Sequence, residues 1–405
     1  MMPNHPSHPL LATTLKAVPP WKGGMGGEGR NDMAKLFYIA NVRLPTEKAH
    51  GMQIMKSCEA LARAGLSVEL IVPRRRNPME ADPYEYYSVE KNFTITSLPV
   101  IDTVRFGRFG FLLELLSFLI AVRLHLRGKK GTIYTREEAV GLFFKTFALE
   151  THIFPQSPGF FRRALFRRAK MHFVLTSFIK TKFIKMGISE NRIAIAPDAV
   201  DLSLFDLSVS KAAARTEMKL PSDKKIVLYA GSFFLYDWKG VDVFLDAAKQ
   251  FGENCLFVLL GGSEKEVSEA RAKWGRSNVL FLGYQPPKSI PMYLKTADAL
   301  VIPNKKGSTA SEHYTSPLKL FEYMAARRPI VASRLPSLEE VVSDKEVVFF
   351  DPNNTDDLSR AIRRVLEDET LAESLSQNAR KKVEAFTWDA RMRTVAAKLR
   401  EIREL

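Results

Sequence analysis

Three stretches of this sequence place residues suited to holding an anion or a sugar. Lys239 stands in GSFFLYDWKGVDVF (231–244), where an apolar run gives way to a helical one. An ammonium there neutralises a diphosphate as a point charge, although a solvated surface position is the commoner fate of a single lysine. Gly51 stands at the corresponding junction of the N-terminal half, in LPTEKAHGMQ (44–53). It permits close backbone approach, and the free amides and dipole of the helix behind it favour an anion. The third stretch is TSPLKLFEYMAARRPIVAS (315–333), in which Leu318, Phe321 and Ala325 recur at helical spacing. Ser316 reads as the N-cap and Pro317 as the first helical residue. Glu322 then falls one turn beyond Leu318 on a face that is otherwise apolar. Its two acceptor oxygens suit a pair of sugar hydroxyls; the competing reading is a solvated helix edge.

Other chemistries find little support. The loop before Gly51 is not G-x-G-x-x-G, so a dinucleotide site is not indicated. No Asp or Glu pair has the look of a glycosidase nucleophile and acid. His152, in LETH, is a lone histidine beside a strand end, and most such residues are packed or on the surface. The other six histidines show no spacing that builds a metal site with it, and His50 beside Gly51 is a second, weaker candidate for chemistry. Cys58 and Cys255 are the two cysteines and lie far apart, which argues against a disulfide framework.

These residues need a scaffold, and the chain supplies a repeating one. KLFYIANV (35–42) reads as a strand, 50–65 as a helix ending at a glycine, and SVELIVP (67–73) as the next strand. After a polar stretch around 206–224 the alternation restarts with KKIVLYAGS, GVDVFLDAAKQF and CLFVLLGG. Alternating strands and helices predict an α/β chain with parallel sheets. The expectation is two doubly wound domains in tandem, 33–206 and 207–386, with ligands beyond the strand carboxyl ends and in the cleft between them. Residues 387–405 form a last helix, for which Trp388 reads as a core anchor.

The chain has 405 residues and a net charge of +15. Residues 1–32, rich in Pro and Gly, read as a disordered tail without a signal peptide's apolar core, and Met33 is an alternative start. The tail carries three basic and two acidic residues, so about +14 of the charge belongs to the rest and predicts an anionic partner. The apolar segment from Phe111 to Val122 is interrupted by Glu114 and is too short to span a bilayer. It predicts a buried or interfacial helix. FFRRALFRRAK (160–170) is basic and amphipathic, and with 105–130 it suits an anionic membrane surface as well as an ordinary packed helix.

In order along residues 34–388, IANVRLPTEKAHGMQIMKSCEALA, IYTRE, LETH, APDAVDLSLF, YAGSFFLYDWKGVDVFLDAA, FLGYQPPKSIPMYLKTADALVIPN and SPLKLFEYMAARRPIVASRLPSLEEVV resemble the glycosyltransferase family 4 proteins. The resemblance implies a GT-B fold, two Rossmann-like domains facing each other across a cleft, with the last helix crossing back to the first domain. It implies retaining transfer of a sugar from a nucleotide diphosphate donor, with no metal and no cofactor. It places Glu322 on the donor ribose, the amides of Leu318 and Lys319 with Ser316 at the β-phosphate, and Lys239 on the diphosphate. Gly51 falls in the loop closing over the diphosphate, His152 near the transferring sugar, and Gly283 and Tyr284 where main chain reads the base. Two departures stand out. The first glutamate of the family's E-x7-E motif falls at Tyr314, with Glu312 two residues away, and the arginine that often accompanies the lysine falls near Ser232.

The expected protein is therefore a cytoplasmic glycosyltransferase, peripheral at the inner face of a membrane. Its partners are a nucleotide-sugar donor and a sugar or lipid-linked acceptor. A nucleotide-sugar epimerase and a non-catalytic pseudo-transferase remain as alternatives. A nucleic-acid binder lacks an interleaved basic and aromatic sheet or a helix-turn-helix signature.

Overall fold

The computed structural model describes residues 34–233 and 236–403. The expected tail and the alternative start at Met33 lie outside the described residues. Two all-parallel sheets organise the chain. The first contains β1 (Lys35–Ile39), β2 (Ser67–Arg74), β3 (Thr94–Pro99), β4 (Thr132–Thr135), β5 (Ala148–Thr151), β6 (Met171–Val174) and β7 (Ile193–Ile195). The second contains β8 (Lys225–Ala230), β9 (Cys255–Leu260), β10 (Val279–Gly283), β11 (Ala299–Ile302), β12 (Ile330–Ser333) and β13 (Val348–Phe350). Strand order is β3-β2-β1-β4-β5-β6-β7 in one and β10-β9-β8-β11-β12-β13 in the other. The order reverses between β1 and β4 and again between β8 and β11, the points where such sheets open a crevice at their carboxyl ends.

The strands are nearly continuous apolar runs because both faces of each sheet are covered. Leu36 and Tyr38 enter the core on one face of the first sheet, Phe37 and Ile39 the core on the other. Ile226 and Leu228 against Val227 and Tyr229 do the same in the second. Helix Trp388–Arg403 returns to the first domain. Trp388, Met392, Val395 and Leu399 pack there with Ile54, Cys58 and Leu61 of helix Ala49–Arg63. The outgoing and returning chains touch, Val200 N donating to Phe386 O at 2.9 Å.

Helix Gly107–His125 corrects the expectation for its acidic residue. Glu114 lies on the helix's buried side with Phe118 and Val122, paired with Arg75 at 2.7 Å and accepting from Asn41 at 3.2 Å. Phe109 (78 % exposed), Leu112 and Leu116 point outward instead.

Gly51 lies inside the first turn of helix Ala49–Arg63 rather than in the loop before it. The group that approaches it is a side chain. A Cβ at Gly51 would stand 2.1 Å from Tyr87 Oη, which accepts from Thr46 N at 2.7 Å and donates to Thr46 O at 2.8 Å. Gly51→Ala should therefore cost about 1–3 kcal/mol of stability through overpacking. Combined with Tyr87→Phe, which removes the crowding oxygen, the loss should be smaller than the sum of the single losses, as urea unfolding midpoints will report.

Candidate functional site

The candidate residues gather at strand carboxyl ends. Gly231 to Lys239 follow β8, Tyr284 follows β10, and the segment after β11 leads to helix Leu318–Ala325. Arg136 follows β4 and His152 follows β5 of the other sheet. Polar contacts join the two edges. Asp198 N donates to Ser316 Oγ at 2.9 Å, Thr176 Oγ1 donates to the carbonyl of His313 at 2.8 Å, and the hydroxyls of Tyr86 and Tyr284 share a hydrogen bond.

Helix 318–325 begins one residue later than its sequence suggests. Pro317 is the N-cap, no side chain caps the first amides, and the Ser316 hydroxyl is taken by Asp198. A proline at the cap cannot accept with its side chain, so the amides of Leu318 and Lys319 stay available to an anion. The side chain of Leu318 packs on the first-domain core.

Two lysines converge here. The Lys319 ammonium is sealed from solvent without a hydrogen-bond partner among the described residues, 3.9 Å from the centre of the Tyr229 ring. Burial pushes it far below the ordinary lysine range, the nearby Lys239 adds to this, and Glu322 opposes it. Gly231, at φ +148°, makes room for it: a Cβ there would meet Lys319 Nζ at 2.9 Å and Tyr229 Oη at 3.0 Å. Lys239 ends the turn Asp237–Lys239, donates to Ser232 Oγ, and is likewise pushed down by burial. Two desolvated lysines this close disfavour each other's charged form, and an anion between them would favour it in both. The serine at 232 thus holds the lysine where an arginine would have shared its charge.

Glu322 is half-buried and its carboxylate makes no hydrogen bond among the described residues. Burial raises it to about 7 against the pull of Lys319. The residue is therefore not a fully solvated edge residue, being half-buried. Gly283 ends β10, its carbonyl accepting from Gly261 N at 2.7 Å, and Tyr284 is about half exposed.

Tyr314, at the position of the motif's first glutamate, is buried in the first-domain core cluster beside Phe178, ring centres 5.6 Å apart. It packs the domain junction. Glu312 accepts from Gly307 N at 2.7 Å and so serves its own loop.

On the facing edge lies a buried polar cluster that reading by motif did not single out. Glu150 Oε1 accepts from Arg136 at 3.0 Å, Arg391 at 2.8 Å and His152 Nε2 at 2.7 Å. Arg136 also donates to Gln53 at 3.0 Å, and Gln53 to Asp198 at 2.7 Å. Burial works to raise Glu150, but the two guanidiniums hold it well below the carboxylate range. His152 falls to about 4 through burial and Arg136, and His50 to about 4 for the same two reasons. The available signal was a carboxylate inside the four-residue strand ALET of a sheet covered on both faces. Among the described residues, no group of three or more His, Cys, Asp or Glu is placed to hold a metal ion.

Residues 210–382 match the family profile of glycosyl transferases group 1. An uncharacterized glycosyltransferase of Methanocaldococcus jannaschii is 26 % identical over 168 residues, 41 % of this chain and 45 % of that one. The chain spans about half the length of the curated relatives it matches. Among solved structures, Anabaena HepE in complex with UDP and glucose superposes with TM-score 0.68 at 15 % identity, covering 91 % of this chain and 99 % of that one. WaaG, a glycosyltransferase involved in lipopolysaccharide biosynthesis, does so with TM-score 0.66 at 16 % identity, covering 90 % and 99 %. By architecture this is a GT-B protein, and its second domain is similar to the glycosyl transferases of group 1.

Proposed function

We propose that this protein transfers a sugar from a nucleotide diphosphate sugar to an acceptor, with retention at the anomeric carbon, in the building of a polysaccharide or glycolipid. The observation that carries the reading is the convergence of Lys239 and Lys319 on the uncapped start of helix 318–325, with Glu322 one turn further on. The UDP held by the Anabaena protein supports a nucleoside diphosphate in this cleft, and the role of WaaG supports a glycan acceptor. In this reading Glu322 accepts from the ribose hydroxyls, Gly283 and Tyr284 meet the base, and Gly51 stands opposite the diphosphate.

Charge develops on the departing diphosphate, and preorganised donors aimed at it supply most of the rate. The two lysines and the amides of Leu318 and Lys319 fill that role here, without a metal or cofactor. The leaving phosphate takes the acceptor's proton on the same face, so no carboxylate pair is required. The first domain meets an anionic membrane surface through stretches 105–130 and 160–170. Phe109 and Phe160 stand 78 % and 86 % exposed among Arg105, Arg108, Arg162 and Arg163. No helix among the described residues is long and apolar enough to cross a membrane.

The burial of Tyr314 favours one second reading, a protein that binds the donor without transferring its sugar. A thermal-shift panel with UDP, GDP, ADP, dTDP and CMP tests the donor site. A ligand at about 100 times its Kd adds about 2.7 kcal/mol to stability. One nucleotide should raise the melting temperature, and Glu322→Ala should lose the rise. Donor hydrolysis or transfer then separates the two readings, and no shift with any nucleotide would sink both.

Glu322 also predicts a pH dependence. Its folded-state value of about 7 lies above the ordinary 4.5, so between these the folded protein keeps a proton the unfolded chain has lost, and stability falls as pH rises. The ionised carboxylate is the better acceptor for two hydroxyls. Nucleotide affinity should therefore rise as pH passes through about 7, and calorimetric titration of Glu322→Gln should show a flatter profile than wild type.

A further inference from the structure

A polar cavity of about 700 Å³ lies on the side of the second domain away from the cleft, and none of the candidate donor residues lines it. It opens at the amino ends of β8, β11 and β12, whereas the donor residues follow strand carboxyl ends. Its walls differ in chemistry. One carries Arg327 and Arg328, in the turn between helix Leu318–Ala325 and β12, with Lys225 at the start of β8. The other is helix Glu369–Val383, with Glu369, Thr370, Glu373, Ser376 and Gln377.

The basic wall holds charge without a counter-ion. Asp298 is already taken, accepting from Arg215, Lys211 and the amide of Ile226. Glu373 lies within electrostatic reach of Arg328 but accepts from Gln377, at 2.7 Å. Arg328 is half-buried and donates through Nε to the carbonyl of Lys295 at 3.1 Å. Its two terminal nitrogens make no hydrogen bond or ion pair among the described residues and are not sealed from solvent. An arginine cannot shed its charge, so one half-buried without a carboxylate is poised for an anion from outside. Lys295 reports the same field: burial, then Arg328 and Arg327, push it below the ordinary lysine range. Arg327 sits just past the helix end at φ +56°, in the left-handed region where glycine is unstrained. Its side chain meets Asp206 at 3.4 Å on the surface. Strain kept for so loosely held a cation points to another use for it.

We infer that this cavity binds a phosphorylated sugar, its phosphate on Arg328 and Arg327 and its hydroxyls on helix Glu369–Val383. The guanidinium fork matches phosphate oxygens, and carboxylate, amide and hydroxyl side chains suit a ring of hydroxyls. A bare inorganic anion leaves the second wall unused. The volume is that of a small-molecule site. The inference does not rest on the reading of the cleft.

The test titrates the full chain calorimetrically with glucose 6-phosphate, glucose 1-phosphate, fructose 6-phosphate and ribose 5-phosphate. Inorganic phosphate and glucose serve as references. At least one sugar phosphate should bind about tenfold or more tightly than either reference. If none does, the inference is overturned. Arg328→Gln should weaken that binding about tenfold or more. Arg327→Gly relieves the left-handed strain, so it should melt no lower than wild type and still bind more weakly. A loss of binding in that variant cannot then be laid to a loss of fold. Lys239→Ala, in the cleft, should bind the sugar phosphate as wild type does. Binding that survives both arginine variants, or that disappears in Lys239→Ala, places the ligand elsewhere and overturns the inference.

Discussion

Replacing Lys239 with alanine is expected to lower transfer at least about a hundredfold while leaving the protein folded, since one preorganised donor to a developing oxyanion is worth about 10²–10³ in kcat. The ammonium donates to Ser232 Oγ, so its removal leaves a hydroxyl behind rather than an unpaired carboxylate. Steady-state transfer and a melting curve on the same preparation check both halves, and near-normal transfer rules the role out. Lys319 should behave differently. Its Nζ is buried with no hydrogen-bond partner among the described residues, which costs the free protein stability. Lys319→Met should raise the melting temperature and weaken nucleotide binding together, a trade expected where a site keeps a desolvated polar group.

Arg391→Ala is expected to cost about 3–5 kcal/mol of unfolding free energy, the range for removing one partner from a buried ion pair. Its guanidinium bridges Glu150 Oε1 at 2.8 Å and the carbonyl of Pro197 at 2.9 Å from helix Trp388–Arg403. It therefore ties the returning helix to β5 and to the segment leaving the first domain. Arg391→Lys should recover little, because an ammonium cannot span a carboxylate and a carbonyl in one plane. Urea unfolding followed by circular dichroism measures both variants. A loss under about 1 kcal/mol for Arg391→Ala would mean that Arg136 alone neutralises Glu150.

The sequence by itself determined the α/β alternation, the restart after residue 206 and the strand-to-helix junctions around Lys239 and Leu318. These follow from local rules: period of hydrophobicity, turn residues and capping act within a few positions. Glu322 was legible for the same reason, a carboxylate on the apolar side of a short helix. What only the tertiary structure decided depends on residues far apart in the chain. Glu150 and Arg391 are separated by 241 positions, and no spacing announces their contact. Gly51 reads as an open junction glycine, yet Tyr87 fills the space above it. Glu114 reads as a break in an apolar helix and is one of its fully buried residues, because Arg75 pairs with it. Tyr314 reads as a lost catalytic side chain and is a packing residue, because the first domain's Phe178 lies against it. Burial and pairing of charge are properties of the assembled domains, since the dielectric and the partner both arrive only with the fold.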